Sequence, residues 1–166
     1  MTNNRKPLII RNQSILGIYQ LIGGLWGLGL ITYSLFSGFE LTTVSIVFLI
    51  VGFLLFGFST YCGIACIKKE TNALQLSRIN QCLQLIYLSG TYFGFIFVAG
   101  IGVFFGLDLV GGLLFRMKFE FTSLTFYYAE QSAEKQVAIN LVALFLLYNF
   151  STLIKEQKIL NATTIE

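Results

Sequence analysis

The chain has 166 residues, of which 55% are hydrophobic and only 11% are charged, and its formal net charge at pH 7 is +3. Soluble domains carry roughly 25% charged residues, so this composition argues against an ordinary soluble domain and favours a protein that sits in a lipid bilayer. The small and scattered positive charge argues against nucleic-acid binding.

Long apolar blocks succeed one another along the chain. The first follows Arg11 and is long enough to cross a hydrocarbon core of roughly 30 Å. Because it continues without a small-x-small cleavage site, we interpret it as an uncleaved span and not as a secretory signal. The predicted spans cover residues 14–36, 41–67, 82–107 and 137–154. The expected fold is therefore an all-α membrane protein, a four-transmembrane-helix bundle forming a single membrane domain over residues 1–166.

Four spans place both ends of the chain on one side of the membrane. The Lys and Arg residues on that side are Arg5, Lys6, Arg11, Lys68, Lys69, Arg78, Lys155 and Lys158, and those on the other side are Arg116, Lys118 and Lys135. The positive-inside rule then predicts a multi-pass protein of the plasma (inner) membrane with cytoplasmic N- and C-termini.

The predicted extracytoplasmic segment 108–136 is long for a connection between two helices. Apolar residues alternate there with polar ones, which is typical of a half-buried β-strand. The phase changes at Thr122 and Ser123, so we predict either a β-hairpin turning there or one strand carrying a bulge. The segment 113–129 is the expected partner-facing element, with Phe115, Met117, Phe119, Phe121, Phe126 and Tyr128 on its contact surface.

Glycines inside the predicted spans form small-xxx-small pairs, which let helix backbones approach closely in lipid. The paired glycines are Gly23 with Gly27, Gly90 with Gly94, and Gly102 with Gly106. Packing within one chain and contacts between copies are both open interpretations. A weak similarity between residues 12–19 and 80–87 fits either a duplicated helical hairpin or chance.

Uncharged polar residues also lie in the predicted spans, notably Gln20, Asn140 and Asn149. Buried amides in lipid usually form interhelical hydrogen bonds. Lining of a narrow pore in a homo-oligomer is the alternative.

No histidine occurs in the sequence, so a Ser-His or Cys-His nucleophile pair and an HExxH zinc site are excluded. Cys62, Cys66 and Cys82 are interpreted as apolar packing residues, with a redox or metal pair as the weaker alternative. We therefore predict a non-enzyme without catalytic, cofactor-binding or metal-binding residues.

The function predicted from the sequence is that of a non-enzymatic assembly, scaffold or accessory subunit. Its partners would be the lipid bilayer and either further copies of the chain or another membrane protein. The alternative is a homo-oligomeric channel or passive small-molecule transporter.

Overall fold

A computed structural model describes residues 5–37, 42–90, 92–109, 114–128 and 135–163. Within these residues the chain is α+β. In chain order the elements are helix α1 (Arg5–Phe36), helix α2 (Thr43–Lys68), helix α3 (Ala73–Leu83), strand β1 (Ile86–Ser89), strand β2 (Phe93–Asp108), strand β3 (Leu114–Tyr128), strand β4 (Gln136–Asn140) and helix α4 (Leu141–Thr163).

The prediction of an all-α bundle with four transmembrane helices is wrong. The predicted third span, residues 82–107, contains the end of α3, strand β1 and most of β2, and the predicted fourth span, 137–154, is divided between β4 and α4. An apolar run does not by itself distinguish a helix from a buried strand. The third block is rich in Phe, Val and Ile, which favour strands, and in Gly, which weakens helices.

Two of the described helices are long and apolar enough to cross a membrane. These are Asn12–Phe36 within α1 and Thr43–Lys68, which is α2. Helix α2 begins with a capping box, in which Thr42 and Ser45 each bond the other's backbone N–H. Such a cap satisfies amide groups that the first helical turn leaves without partners.

Helices α1 and α2 form an antiparallel hairpin whose contact is made by glycines. A Cβ at Gly24 would lie 2.6 Å from the backbone N of Thr60, and one at Gly63 would lie 2.5 Å from the backbone N of Leu21. Neither position has room for a side chain, so the two backbones touch. Gly27 lies against the ring of Phe56 in the same interface.

The sheet is antiparallel, with the strand order β1-β4-β2-β3 and a further pairing of β1 with β2. Strand β1 pairs with the first part of β2 at Leu88 and Ser89, and β4 pairs with its last part, from Phe104 to Asp108. Because β1 and β4 also pair with each other, the strands β2–β1–β4–β2 form a closed ring.

Closing this ring requires β2 to bend strongly, since β1 and β4 are antiparallel both to β2 and to each other. The bend lies at a bulge between Val98 and Ile101. Gly100 adopts φ +114° there, a backbone conformation that residues other than glycine rarely adopt. Opposite the bulge, Thr122 of β3 bonds the N–H and the C=O of Gly100 through its hydroxyl.

In the part of the chain that the structure describes, three apolar clusters hold the elements together. One joins the ends of the helices around Cys66, Leu74 and Phe150; one fills the ring around Tyr87 and Phe104; and one packs β2 on the helical hairpin. In the third cluster, the rings of Phe56 and Phe97 meet edge to face at 5.3 Å. The sheet therefore lies along the side of the hairpin.

The predicted glycine pairs have different roles from those expected. Gly94, Gly102 and Gly106 lie in strand β2, and Gly90 directly follows strand β1, so these four make no contact between helices. Gly23 lies in α1, but it faces β2: a Cβ there would lie 2.5 Å from the carbonyl carbon of Ala99. Among the six, only Gly27 lies at a contact between two helices.

Candidate functional site

Strand β3 is a single strand with apolar and polar residues on opposite sides. The prediction of a strand in this segment holds, but it is one strand paired with β2 and not a hairpin of its own. The irregularity expected at Thr122 and Ser123 corresponds to the bulge, whose extra residue lies in β2. We call Phe115, Met117, Phe119 and Phe121 the β3 outer face, and the alternating Arg116, Lys118, Glu120 and Thr122 its inner face.

The β3 outer face is uncovered by the rest of the described chain. Phe115, Phe119 and Phe121 are 72%, 71% and 74% exposed, and Met117 is 56% exposed. Large aromatic side chains that remain so exposed mark a surface that meets a partner or a membrane.

The apolar surface continues across the whole sheet, because residues directly opposite each other on neighbouring strands share a face. Met117 lies opposite Phe105, which lies opposite Ile139, which lies opposite Ile86. A second row, equally apolar, consists of Phe115, Leu107, Val137 and Leu88. The rings of Phe105 and Phe115 stack at 5.6 Å and link the two rows.

The inner side of the sheet carries the charges. Arg116 forms an ion pair with Asp108 at 3.2 Å, and Lys118 forms one with Glu120 at 2.9 Å. The ammonium of Lys118 also lies 5.1 Å from the centre of the Tyr87 ring, which is buried inside the ring of strands. The charged side chains of β3 thus lie on its inner face, whereas its outer face is apolar, as in strands that face lipid.

The last two residues of the predicted contact surface are placed differently. Phe126 packs on Phe48 of α2 at 4.7 Å and on Phe93 at 5.3 Å, so it fastens β3 to the hairpin. The backbone of Tyr128 pairs with Phe93, while its side chain lies outside the described part of the structure.

A groove of about 630 Å³ lies between the ends of α1 and α2 and the bent part of β3. Its floor is apolar, with Ile31, Phe48 and Leu124 among the lining residues. Ser123 lies at its edge, and its buried hydroxyl has no hydrogen-bond partner within the described residues.

The polar residues predicted to join helices lie in the interior. Gln20 is fully buried, and its side-chain carbonyl accepts from Asn80 at 3.4 Å; Asn80 also donates to Ser59 at 3.1 Å. These bonds join α1, α2 and α3.

Asn140 joins sheet and helix. Its side-chain oxygen accepts from Val103 at 3.2 Å and from Val142 at 3.1 Å in the first turn of α4, while its amide donates to the carbonyl of Gln84. Asn149, by contrast, donates only to the carbonyl of Phe145 within α4 among its described contacts. Since Gln20 and Asn140 are enclosed by their own chain, they do not favour a pore.

Several buried or half-buried polar residues were not singled out from the sequence. Gln84 accepts from the N–H of Ala99 at 2.9 Å, and Tyr19 bonds both backbone groups of Ile101. Gln81, Gln84 and Gln136 each keep a buried side-chain nitrogen without a partner among the described residues. The signal available in the sequence was the density of Gln and Asn between residues 80 and 84, where a polar stretch passes into an apolar block.

The described residues contain no group of His, Cys, Asp and Glu side chains arranged to hold a metal ion. Cys62 and Cys66 are buried, and the thiol of Cys66 lies 3.1 Å from the hydroxyl of Ser77. Cys82 is exposed on α3. Two of the three thiols are thus buried, and the third lies on the surface.

The sequence matches no family model, and neither the curated proteins nor the solved structures contain a similar chain. The candidate site is therefore defined by its own geometry: an apolar outer sheet surface, with β3 at its edge, beside two helices able to cross a membrane.

Proposed function

We propose that this chain is a membrane-embedded, non-enzymatic assembly or accessory protein, in which α1 and α2 form the membrane anchor and β3 contacts the partner. The observation that carries the proposal is the β3 outer face, where three phenylalanines are each more than 70% exposed. Aromatic residues, phenylalanine among them, are enriched at protein interfaces.

The exposure of the helical hairpin supports membrane anchoring. Only 28% of the span in α1 and 17% of the span in α2 are buried inside the chain, whereas the core helix of a soluble protein is mostly covered. Trp26, Tyr33 and Leu54 are 63%, 71% and 67% exposed along these helices. Lipid contact would cover them.

The flanking charges support an orientation. Arg5, Lys6, Arg11, Lys68 and Lys69 flank the two free ends of the hairpin, and the connection between the helices, residues 37–42, contains no Lys or Arg. By the positive-inside rule, both free ends of the hairpin lie in the cytoplasm and the connection lies outside. This orientation fits the inner membrane of a bacterium or the plasma membrane.

The experiment is to extract the untagged chain gently, reconstitute it in lipid nanodiscs and measure the protein mass per disc. The expected mass exceeds that of one chain, and F119S is expected to reduce it to one chain by weakening the contact. F145S is the matched control, because Phe145 is 64% exposed but belongs to α4 and not to the sheet.

A native mass of a single chain would overturn the assembly role. A chain that is released from membranes by alkaline carbonate would overturn the anchoring role. Circular dichroism of F119S and F145S establishes that both variants remain folded.

A further inference from the structure

Strand β3 has an open edge. It pairs with β2 along one side from Leu114 to Tyr128, and no described strand lies on its other side. An open edge presents backbone N–H and C=O groups to any chain that can add a strand. The position of this edge beside the helices places a further constraint on what can pair with it.

The bend of the β2–β3 pair lies beside the middle of the helical hairpin. Ile101, which is paired with Phe121 of β3, is hydrogen-bonded to Tyr19 of α1. Close by, Gly23 meets the backbone of Ala99. Tyr19 and Gly23 both belong to the candidate span Asn12–Phe36.

If α1 and α2 cross the bilayer as proposed, this part of β3 lies at hydrocarbon depth. Open sheet edges do not occur in contact with lipid, because hydrocarbon offers the backbone no hydrogen-bond partner. The edge of β3 must therefore be paired in the membrane, and the described residues contain no further strand to pair with it, which points to a strand from another chain.

The geometry points to a second copy of this chain as the occupant, with the two β3 strands antiparallel about a two-fold axis at Phe119. This inference rests on the proposed function and names its partner. In this register Lys118 of one copy lies opposite Glu120 of the other, and the reverse pair forms on the other side of the axis. Opposite charges on facing positions stabilise antiparallel strands.

The same register matches the outer faces. Met117 of one copy lies opposite Phe121 of the other, and the two Phe119 side chains lie opposite each other. The apolar rows of the two sheets then form one continuous surface, and the ion pair within each β3 becomes part of an alternating cluster of four charges. A two-fold contact of this kind closes on itself and does not propagate into a filament.

A charge exchange between copies tests this register. K118E and E120K each place like charges opposite each other in a symmetric pair, so each variant alone is expected to self-associate roughly tenfold more weakly than the native chain. When both variants are expressed together with different tags, their facing charges become complementary again. Recovery of the mixed pair is therefore expected.

Mixing separates the contact between copies from the ion pair within each chain. In both variants the residues at 118 and 120 of one copy carry the same charge, so repulsion within the chain remains in the mixture. Undiminished self-association of K118E would overturn the proposal, as would failure of the mixed pair to form when the native chain does associate.

Disulfide crosslinking provides a second measurement that does not depend on charge. In a C82S background, differently tagged copies that carry M117C and F121C are expected to crosslink with each other in native membranes, because these two positions face each other in the proposed register and Phe119 is kept. I139C is the control, because Ile139 lies on the same apolar surface and is 48% exposed but belongs to β4. Equal crosslinking in the M117C and F121C mixture and in I139C, or none in the mixture, would overturn the proposed pairing.

The results also distinguish failure of this pairing from failure of the proposed function. A native complex that contains one copy of this chain and a different protein, lost in F119S, overturns self-pairing and leaves the assembly role intact. A native mass of one chain overturns both.

Discussion

The hydroxyl of Tyr19 bonds both backbone groups of Ile101: it accepts from the N–H at 2.9 Å and donates to the C=O at 3.0 Å. Tyr19 belongs to α1 and Ile101 follows the bulge in β2. The Tyr19 side chain thus makes the two hydrogen bonds to Ile101 that a neighbouring strand would otherwise make. It does so at the position where the bend in β2 interrupts the regular pairing of strands.

Y19F removes this hydroxyl and retains the ring. We expect the free energy of unfolding to fall by about 1–3 kcal/mol, because two backbone groups lose their partner. Unfolding by denaturant in detergent micelles measures the change. Y33F is the control, since Tyr33 is 71% exposed on the same helix; an equal loss in Y33F would contradict the role of Tyr19.

Gly23→Ala tests the contact of α1 with β2. The added Cβ would lie 2.5 Å from the carbonyl carbon of Ala99 and 2.6 Å from the N of Gly100. Because backbone cannot yield as a flexible side chain does, we expect α1 to be pushed off the bulge, with a loss of roughly 1–3 kcal/mol.

The matched variant is G29A, since a Cβ at Gly29 meets nothing within 4 Å. Alanine is the better helix former, so we expect G29A to stabilise the chain by up to about 1 kcal/mol. Thermal unfolding of the two variants in the same detergent measures both effects, and a G23A chain as stable as G29A would contradict the close packing.

N140A removes a helix cap and a bridge at once. The cap on α4 is worth about 0.5–2 kcal/mol, and the N–H of Val103 and the carbonyl of Gln84 also lose a bond, so the total loss should exceed that of the cap alone. N149A removes only a bond inside α4 and is expected to change stability by less than about 0.5 kcal/mol. Similar losses in both would contradict the bridging role.

Lys69→Gly is expected to stabilise the chain. Lys69 ends α2 with φ 61° and ψ 38°, and its N–H bonds the carbonyl of Cys66. Glycine adopts this left-handed conformation without the steric penalty of a Cβ, so we expect a gain of roughly 0.5–1 kcal/mol. K68G, one residue earlier and inside the helix, should lower stability, and the opposite order of the two variants would contradict this account.

The sequence predicts the hairpin of α1 and α2 and the strand character of β3, because each has a signal within one segment. An unbroken apolar run of span length indicates the helices, and the alternation of Phe115, Met117 and Phe119 with charged residues indicates the strand. The exposed phenylalanines of the candidate site follow from the same alternation.

The remainder depends on contacts between segments far apart in the chain. Residues 82–107 look like a span because their apolar content is high on both sides of β2: one side packs on the hairpin and the other forms part of the exposed sheet surface. Asn140 carries no local sign that it will meet Val103 and Gln84. The hydrogen-bond partners of Gln20 could not be predicted for the same reason, because Asn80 lies in a polar stretch that resembles a connector.

The closed ring of strands has a consequence for how the chain is made. Its first and last strands, β1 and β4, are separated by the entire β2–β3 pair, so the ring cannot be completed until residue 140 has left the ribosome. Pairing between such distant segments is slow compared with helix formation. During synthesis the helical hairpin can insert into the membrane before β4 is available to pair with β1 and β2. In that interval the nascent chain most needs protection by a chaperone or insertase.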